Sequence, residues 1–279
     1  MKTWMLAGVA ILCSSFLYAA DEVAVKADRL LQEALESKNP DTRKQVAVAL
    51  SITGAREPYL SKLIGLLQDK DVEVRLATVS SLSEIRTKAV TTALHKAIED
   101  EVPEVSFAAA KALWSLGDPL GKKALMAVLE GENKTSSSFF TKQKREALRM
   151  MHTPRTALMF AVRQGVGFAP VPGLGVGVSS MQAILSDPAV SGRAAAALLL
   201  SQQNDPATLE ALKEALHEKD GSLRAAAVHA LAMKNNPALK KEIAPMLDDD
   251  KETVRLRAAA AYLKLSAIRP SRPAAPKKP

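Results

Sequence analysis

Four histidines are the side chains of this 279-residue chain best suited to proton transfer or metal ligation. They are His95, His152, His217 and His229. None of them lies in an HExxH motif, and no two stand four residues apart with a third ligand near in the sequence. No serine lies in the GxSxG motif of a nucleophile elbow. We therefore expect no catalytic centre, no metal site and no bound cofactor.

A glycine-rich stretch, GVGFAPVPGLGVGVSS at 165–180, is the other candidate for chemistry, because it holds five of the thirteen glycines. A phosphate-binding P-loop needs GxxxxGK[ST], and the chain has no lysine between residues 145 and 212. Two interpretations of the stretch remain. Either the apolar loop folds back onto the rest of the protein, or Phe168, Val171, Leu174 and Val176 form an exposed apolar surface for a partner or a membrane.

The first twenty residues have the pattern of a secretory signal peptide. Lys2 is followed by the apolar run WMLAGVAILCSSFLYAA, and polar sequence begins at Asp21. We expect cleavage near Ala19 or Ala20 and a periplasmic or extracellular protein, with an uncleaved N-terminal membrane anchor as the alternative. The single cysteine, Cys13, lies in this segment, so the expected mature chain has no disulfide and no thiolate ligand.

The net charge of +8 is concentrated at the C-terminal end of the chain. The segment RPSRPAAPKKP at 269–279 has four basic residues and no acid, and its four prolines predict an extended, disordered tail. We interpret it as a solubilising tail, with weak contact with anionic phospholipid or cell-wall polymers as the alternative. Without the tail and Lys2, 33 of the 38 basic residues remain against 30 acids. This balance, with few aromatic side chains, does not indicate nucleic-acid binding.

A repeating unit of about 31 residues is the strongest pattern in the sequence. Segments such as VRLATVSSL at 74–82 and LRAAAVHAL at 223–231 share the same spacing of residue types, which we call the frame. The basic residue at the second position of each segment serves as the anchor of its unit. The anchors are Arg43, Arg75, Ser106, Arg145, Arg193, Arg224 and Arg255. An acid lies six residues before five of the seven anchors, and a leucine lies seven residues after five of them. The recurrence predicts a repeat protein.

Each unit contains two helical patterns. The stretch YLSKLIGLLQD at 59–69 carries apolar residues at i, i+3, i+4 and i+7, and an alanine-rich segment follows the acid. One helix pair cannot bury both of its faces, so successive pairs must stack. The sequence therefore predicts an all-α solenoid of about seven antiparallel helix pairs over 21–268, with an insertion at about 154–175.

The frame D-x5-R-x6-L at 69–82, 187–200 and 249–262 resembles HEAT repeats, in particular the short bacterial type associated with phycobilin lyases; Tyr262 ends the last frame, and the frame at 218–231 begins with Glu. The resemblance implies a ladder of acids and arginines between successive repeats, formed by Asp69, Arg75, Asp187, Arg193, Glu218, Arg224, Asp249 and Arg255. It also implies a scaffold or adaptor rather than an enzyme. Deoxyhypusine hydroxylase, an iron enzyme of HEAT repeats, relies on several His-Glu pairs, whereas this chain has one, His217-Glu218, so that activity is not expected.

In solenoids of this kind the second helices usually line the concave surface. Exposed residues on those helices are candidate contacts for a protein or peptide partner: Lys44, Ser80, Lys111 and His229. We therefore expect a non-catalytic, exported scaffold. Two alternatives remain open, namely an accessory subunit or lyase-like enzyme acting on a bound ligand, and an envelope-associated structural protein attached through the apolar loop and the basic tail.

Overall fold

The computed structural model describes residues 21–130 and 191–268. These two segments form twelve α-helices and no strand. The helices are α1 Glu22–Leu35, α2 Pro40–Ser51, α3 Tyr59–Gly65, α4 Val72–Leu82, α5 Lys88–Ala97, α6 Pro103–Ser115, α7 Pro119–Glu130, α8 Gly192–Leu199, α9 Pro206–Glu214, α10 Gly221–Met233, α11 Lys240–Ile243 and α12 Glu252–Ser266. Short 3-10 turns extend α3, α8, α9 and α11. The expected signal peptide (1–20), insertion (154–175) and tail (269–279) lie outside the described residues.

The helices begin where polar caps and prolines in the sequence allow them to begin. Asp71 caps α4 by accepting hydrogen bonds from the backbone amides of Glu73 and Val74. Ser191 caps α8 through its hydroxyl in the same manner. Proline is the first residue of α2, α6 and α9, a position where its missing N–H costs little.

The helices alternate in two layers. Odd-numbered helices are the first of each pair, and even-numbered helices are the second. Consecutive second helices pack directly on one another, α2 on α4, α4 on α6, α8 on α10 and α10 on α12. Consecutive first helices scarcely touch, so the second helices form the tighter, inner layer of the curve. The predicted all-α solenoid is confirmed.

Leucines at a fixed position of the repeat fill the space between second helices. Leu50, Leu82, Leu113 and Leu231, each seven residues after an anchor, have no exposed surface. A fully buried leucine contributes about 2 kcal/mol relative to an exposed one. At the same position of the frame, Leu200 is 43% exposed. Among the residues described, no helix has the length and apolar character needed to span a bilayer.

The last repeat packs on the first one. Helix α12 lies against both α1 and α2, and its contact with α1 is as extensive as its contact with the preceding second helix, α10. The apolar residues of α12, such as Leu263 and Leu265, are buried together with Ala27 and Leu31 of α1. We call this contact the closure.

Polar side chains on both repeats extend the closure beyond its apolar centre. The Tyr262 hydroxyl lies 2.8 Å from each carboxylate oxygen of Asp21. The Thr42 hydroxyl donates to Glu252 at 2.9 Å, and Thr253 donates to Gln45 at 2.6 Å. Two further contacts join Lys26 to Asp248 and Arg56 to the carbonyl of Leu263.

The closure changes the order of the stack. The repeat pattern predicts that repeats stack in the order in which they follow along the chain. The structure adds a contact between the first repeat and the last. Among the described second helices, the spatial order is α8, α10, α12, α2, α4 and α6. The first and last repeats therefore meet in the middle of the stack of described helices.

Helices α6 and α7 approach most closely at Gly121. A Cβ atom at this position would lie 2.2 Å from the backbone nitrogen of Trp114 and 2.8 Å from the carbonyl oxygen of Ala110. Those neighbours are main-chain atoms, which cannot rotate away. The absence of a side chain at Gly121 is therefore required for this helix pair to form as it does.

We expect Gly121→Ala to lower the free energy of unfolding by about 2 kcal/mol, because the added methyl group separates α6 from α7. Gly65→Ala is the matched control, since Gly65 is helical and a Cβ there meets nothing within 4 Å. The control should be neutral or more stable by about 0.5 kcal/mol. Urea denaturation followed by circular dichroism measures both. Equal effects of the two substitutions would show that the α6–α7 approach is not constrained at Gly121.

Candidate functional site

Arginines and acids connect successive repeats in a ladder. In three rungs the arginine binds the acid of the following repeat through two parallel hydrogen bonds, from Nε and from Nη2. The pairs are Arg43–Asp69 at 2.6 and 2.8 Å, Arg75–Asp100 at 2.9 and 3.0 Å, and Arg224–Asp249 at 2.6 and 2.7 Å. This fork-to-fork geometry is the strongest arrangement of arginine with carboxylate.

The third nitrogen of each arginine holds the turn of its own repeat. Nη1 of Arg75 donates to the carbonyl oxygen of Asp69 at 2.8 Å, and Nη1 of Arg224 donates to that of Glu218 at 2.9 Å. The acid in turn accepts from the amide two residues later, as Asp69 does from Asp71 at 2.9 Å. The fixed spacing of acid and arginine follows from these bonds, because each repeat needs both to shape its turn and to join its neighbours.

The buried rung of Arg43 and Asp69 favours the charged form of both partners. The side chains of Arg43 and Asp69 are each 8% exposed. The hydrogen bond from Arg43 lowers the pKa of the Asp69 carboxyl below its usual value, although burial alone would raise it. The same bond raises the pKa of Arg43. Each partner therefore stabilises the charged form of the other.

One rung is largely in solvent. Nη2 of Arg193 donates to Glu218 at 2.6 Å through a single bond, and the two side chains are 65% and 40% exposed. The bond lowers the pKa of Glu218 and raises that of Arg193. Water screens such a pair, so it contributes little to stability.

The structure differs in detail from the ladder that the resemblance assigned. Each arginine binds the backbone of its own acid, as Arg75 does with Asp69, and the carboxylate of the next one. Arg43 and Asp100 also form rungs, but the assignment omitted them. Within its own frame Arg43 has Ser37 at the acid position, and Asp100 has Ser106 at the arginine position, so neither frame is complete. The six-residue spacing to each anchor was the signal that could have found both. Asp187 lies outside the described residues.

A half-buried surface runs across three consecutive second helices. It consists of the residues one and five positions after the anchors of α2, α4 and α6, and we call it the open face. Its members are Lys44, Val48, Leu76, Ser80, Phe107 and Lys111. Lys44, Ser80 and Lys111 were predicted as partner contacts, and the structure places them on this one face. The apolar members Val48, Leu76 and Phe107 were missed, although the frame offsets mark them.

The charges of the open face are basic. Lys44 is 42% exposed and lies 3.2 Å from the carboxylate of Asp41, one turn away. Burial lowers the pKa of Lys111 from its usual value. Next to Lys111 on α6, Trp114 is 59% exposed. The open face and its border thus present lysine, apolar and aromatic side chains.

His229 does not belong to an exposed surface, so its prediction as a partner contact is wrong. It occupies the same frame position as Ser80 and Lys111, but it is only 3% exposed. Burial, followed by the charges of Arg257 and Lys264, lowers the pKa of His229 to about 3. Its Nδ1 has no hydrogen-bond partner among the described residues. The tighter packing of α10 between α8 and α12 is the physical reason.

The predicted apolar surface of Phe168, Val171, Leu174 and Val176 lies outside the described residues, as does His152. Both interpretations of the glycine-rich stretch therefore stay predictions.

Comparison with known proteins identifies the repeat. The sequence matches the family of HEAT repeats over residues 60–136 and 179–264, more than half of the chain. The chain belongs to the HEAT-repeat family. The match agrees with the frame recognised in the sequence, while the finer assignment to the phycobilin-lyase type stays a prediction. No curated protein matches the sequence.

Solved structures similar to this HEAT-repeat protein include human deoxyhypusine hydroxylase in complex with glycerol, with 16% identity, a TM-score of 0.34, and coverage of 88% of this chain and 97% of that one. Computationally designed armadillo repeat proteins for modular peptide recognition share 17% identity, with a TM-score of 0.24 and coverage of 85% and 98%. A further designed armadillo repeat protein shares 18% identity, with the same TM-score and coverage.

We expect Asp69→Asn to lower the free energy of unfolding by about 3 kcal/mol, because it leaves the buried Arg43 guanidinium without a counter-charge. Glu218→Gln is the matched control in the exposed rung and should hardly change stability. Since the folded pKa of Asp69 is lowered, its stabilisation is present above the unfolded pKa of 3.8 and is lost as the pH falls through the folded value. Urea denaturation at neutral and acidic pH tests both statements. Similar losses in the two variants would contradict the ranking of buried over exposed rungs.

We expect His229→Leu to flatten the fall of stability on acidification. The unfolded chain takes up a proton at His229 near its ordinary pKa of 6.5, whereas the folded chain resists this until about 3, so the folded state loses stability as the pH falls between those values. Leucine occupies the same frame position in the preceding repeat, at Leu198. Relative to the wild type, the variant should gain about 2–3 kcal/mol of stability between about pH 7 and about pH 4. An unchanged dependence on pH would show that His229 is accessible to protons in the folded state.

Proposed function

We propose that this HEAT-repeat protein is an exported, non-catalytic adaptor that binds a protein or a peptide along the open face. The observation that carries the proposal is the continuity of this face, since equivalent positions of α2, α4 and α6 are all half-exposed. A regular row of side chains at repeat spacing suits an extended partner segment, which has its own regular spacing of side chains.

The chemistry of the open face supports a partner with acidic and apolar groups. Lys44 and Lys111 lie at its two ends, on α2 and α6. Leu76 provides apolar surface on α4, between the two lysines, and Phe107 provides it on α6, the helix that carries Lys111. Trp114 adds an exposed aromatic ring on α6. Aromatic and apolar side chains are the usual anchors of a protein interface, and flanking charges select the partner and guide its approach.

Export is part of the proposal because of the N-terminal segment. Lys2, the apolar run after it and the small residues at Ala19 and Ala20 form the pattern of a secretory signal. The partner is therefore expected in the periplasm or outside the cell. The charges of the three buried rungs are engaged within the fold, so they are not available to the partner.

The test is affinity capture of the tagged full-length protein from the envelope of its native host after mild crosslinking, with identification by mass spectrometry. We expect one near-stoichiometric protein partner. The double variant Lys44→Glu/Lys111→Glu should reduce its recovery about tenfold at equal thermal stability, because it reverses the charge of the open face. Lys88→Glu is the matched control, since Lys88 is exposed on the first helix α5.

Three outcomes would contradict the proposal. In one, no protein is enriched over a control envelope from untagged cells. In another, the double variant recovers the partner as well as the wild type does. In the third, Lys88→Glu reduces recovery as much as the double variant, which would indicate an effect of net charge rather than of the open face.

A further inference from the structure

One arginine of the ladder, Arg255, has no acid partner among the described residues. Nη1 of Arg255 donates to the carbonyl oxygens of Asp249 at 2.8 Å and Asp250 at 3.1 Å, as the other anchors do in their own turns. Its Nε and Nη2 are the atoms that bind a carboxylate in Arg43, Arg75 and Arg224. Among the described residues, none provides a carboxylate to these two nitrogens of Arg255. The guanidinium is thus held in the orientation of a rung whose other half is missing.

Ser37 occupies the place of the missing acid. It lies six residues before Arg43, and because of the closure its turn is the next one after Arg255 in the stack. The turn itself is preserved, since Ser37 Oγ accepts from the amide of Asn39 at 3.2 Å and its carbonyl accepts from Arg43 at 2.8 Å. The sequence therefore replaces only the carboxylate, by a hydroxyl that forms no hydrogen bond with Arg255.

A cavity of about 170 Å³ lies at this position, between α12 and α1. Arg255, Ser37 and Thr42 line it together with the carboxylates of Glu33 and Glu252, and Leu30 and Leu256 are among its apolar residues. Neither carboxylate forms an ion pair with Arg255. Glu33 lies 3.9 Å from Arg29, and Glu252 accepts a hydrogen bond from Thr42.

We propose that this cavity is a binding site for a small amino carboxylate, such as a free amino acid. The ligand carboxylate takes the place of the absent acid and accepts the two hydrogen bonds from Nε and Nη2 of Arg255. The ligand ammonium group is held between Glu33 and Glu252, whose charges disfavour a ligand that is only an anion. The cavity is smaller than the roughly 300–1,000 Å³ of sites for drug-sized ligands, which suits a ligand of this size.

The location of the site links binding to the closure. Its basic wall belongs to the last repeat, and most of its other residues belong to the first, so the site exists only when the two are packed together. A ligand that binds only this packed state stabilises it by mass action. The proposal does not depend on the open face, and failure of either leaves the other intact.

The experiment is a titration of the full-length protein with glycine, acetate and phosphate, followed by NMR of the arginine Nε–H groups at constant ionic strength. Glycine should shift the Arg255 signal in a saturable manner, and acetate should bind at least about tenfold more weakly because it lacks the ammonium group. Arg224 provides the internal control in the same spectrum, since its rung is already occupied by Asp249.

Ser37→Asp is the decisive variant because its carboxylate should restore the rung and also accept the Asn39 amide bond that Ser37 now accepts, as Asp69 does from Asp71. We expect the Arg255 signal of this variant to move without ligand toward those of the occupied rungs, the melting temperature to rise, and the affinity for glycine to fall at least about tenfold. Arg255→Gln should also lose glycine binding.

The proposal is overturned if glycine does not shift the Arg255 signal, or if Ser37→Asp binds glycine as well as the wild type does. Equal binding of acetate and glycine would overturn the role of Glu33 and Glu252. Phosphate binding as tight as glycine binding would overturn the amino carboxylate assignment in favour of a general anion site.

Discussion

Helix α12 packs on α1 and α2, and the arrangement of the other helices depends on this contact. Without it, the apolar face of α12 around Leu263 and the face of α1 around Leu31 would both be exposed to water. An open solenoid normally solves this problem with polar terminal repeats. Here neither terminal repeat of the described chain has such a face, and each one covers the other instead. The closure therefore substitutes for two capping repeats.

The ladder has a different role from the apolar packing. Buried ion pairs cost desolvation that their mutual attraction only partly repays, so Arg43–Asp69 is weak evidence for stability in itself. Removing one partner is nevertheless costly, since the other charge is then stranded. A register shift between repeats strands charges in the same way. The ladder consequently selects one alignment of neighbouring turns, while the apolar core to which Leu50 and Leu82 belong provides the favourable energy of burial.

The repeat and its helices could be predicted from the sequence because they depend on local patterns. Period, apolar stripes, prolines and the acid–arginine frame are all visible within one unit. The closure could not be predicted in this way, since it joins Tyr262 to Asp21 across almost the whole described chain. His229 shows the same limit. Its frame position is half-exposed in α4 and α6, and only the packing of α10 between its neighbours determines that this copy is buried.

Departures from the repeat become interpretable once the closure is known. In a linear stack, a serine at the acid position of the first repeat would have no consequence for the ladder, because no earlier repeat would provide an arginine to bind an acid there. In the closed arrangement, Ser37 lies in the turn that follows Arg255 in the stack, and the two residues define the one interruption of the ladder between described neighbouring repeats. The closure thus combines extensive apolar burial with the absence of an arginine–acid rung among the described residues. Its alignment is set by hydrogen bonds such as Thr42–Glu252 and Thr253–Gln45 rather than by a rung. Single hydrogen bonds of this kind constrain alignment less strictly than a bidentate ion pair does. At the closure, the position beside Arg255 that an acid fills in the other rungs is open among the described residues. A carboxylate bound there would therefore change how tightly the first and last repeats are held together more than at any other described junction.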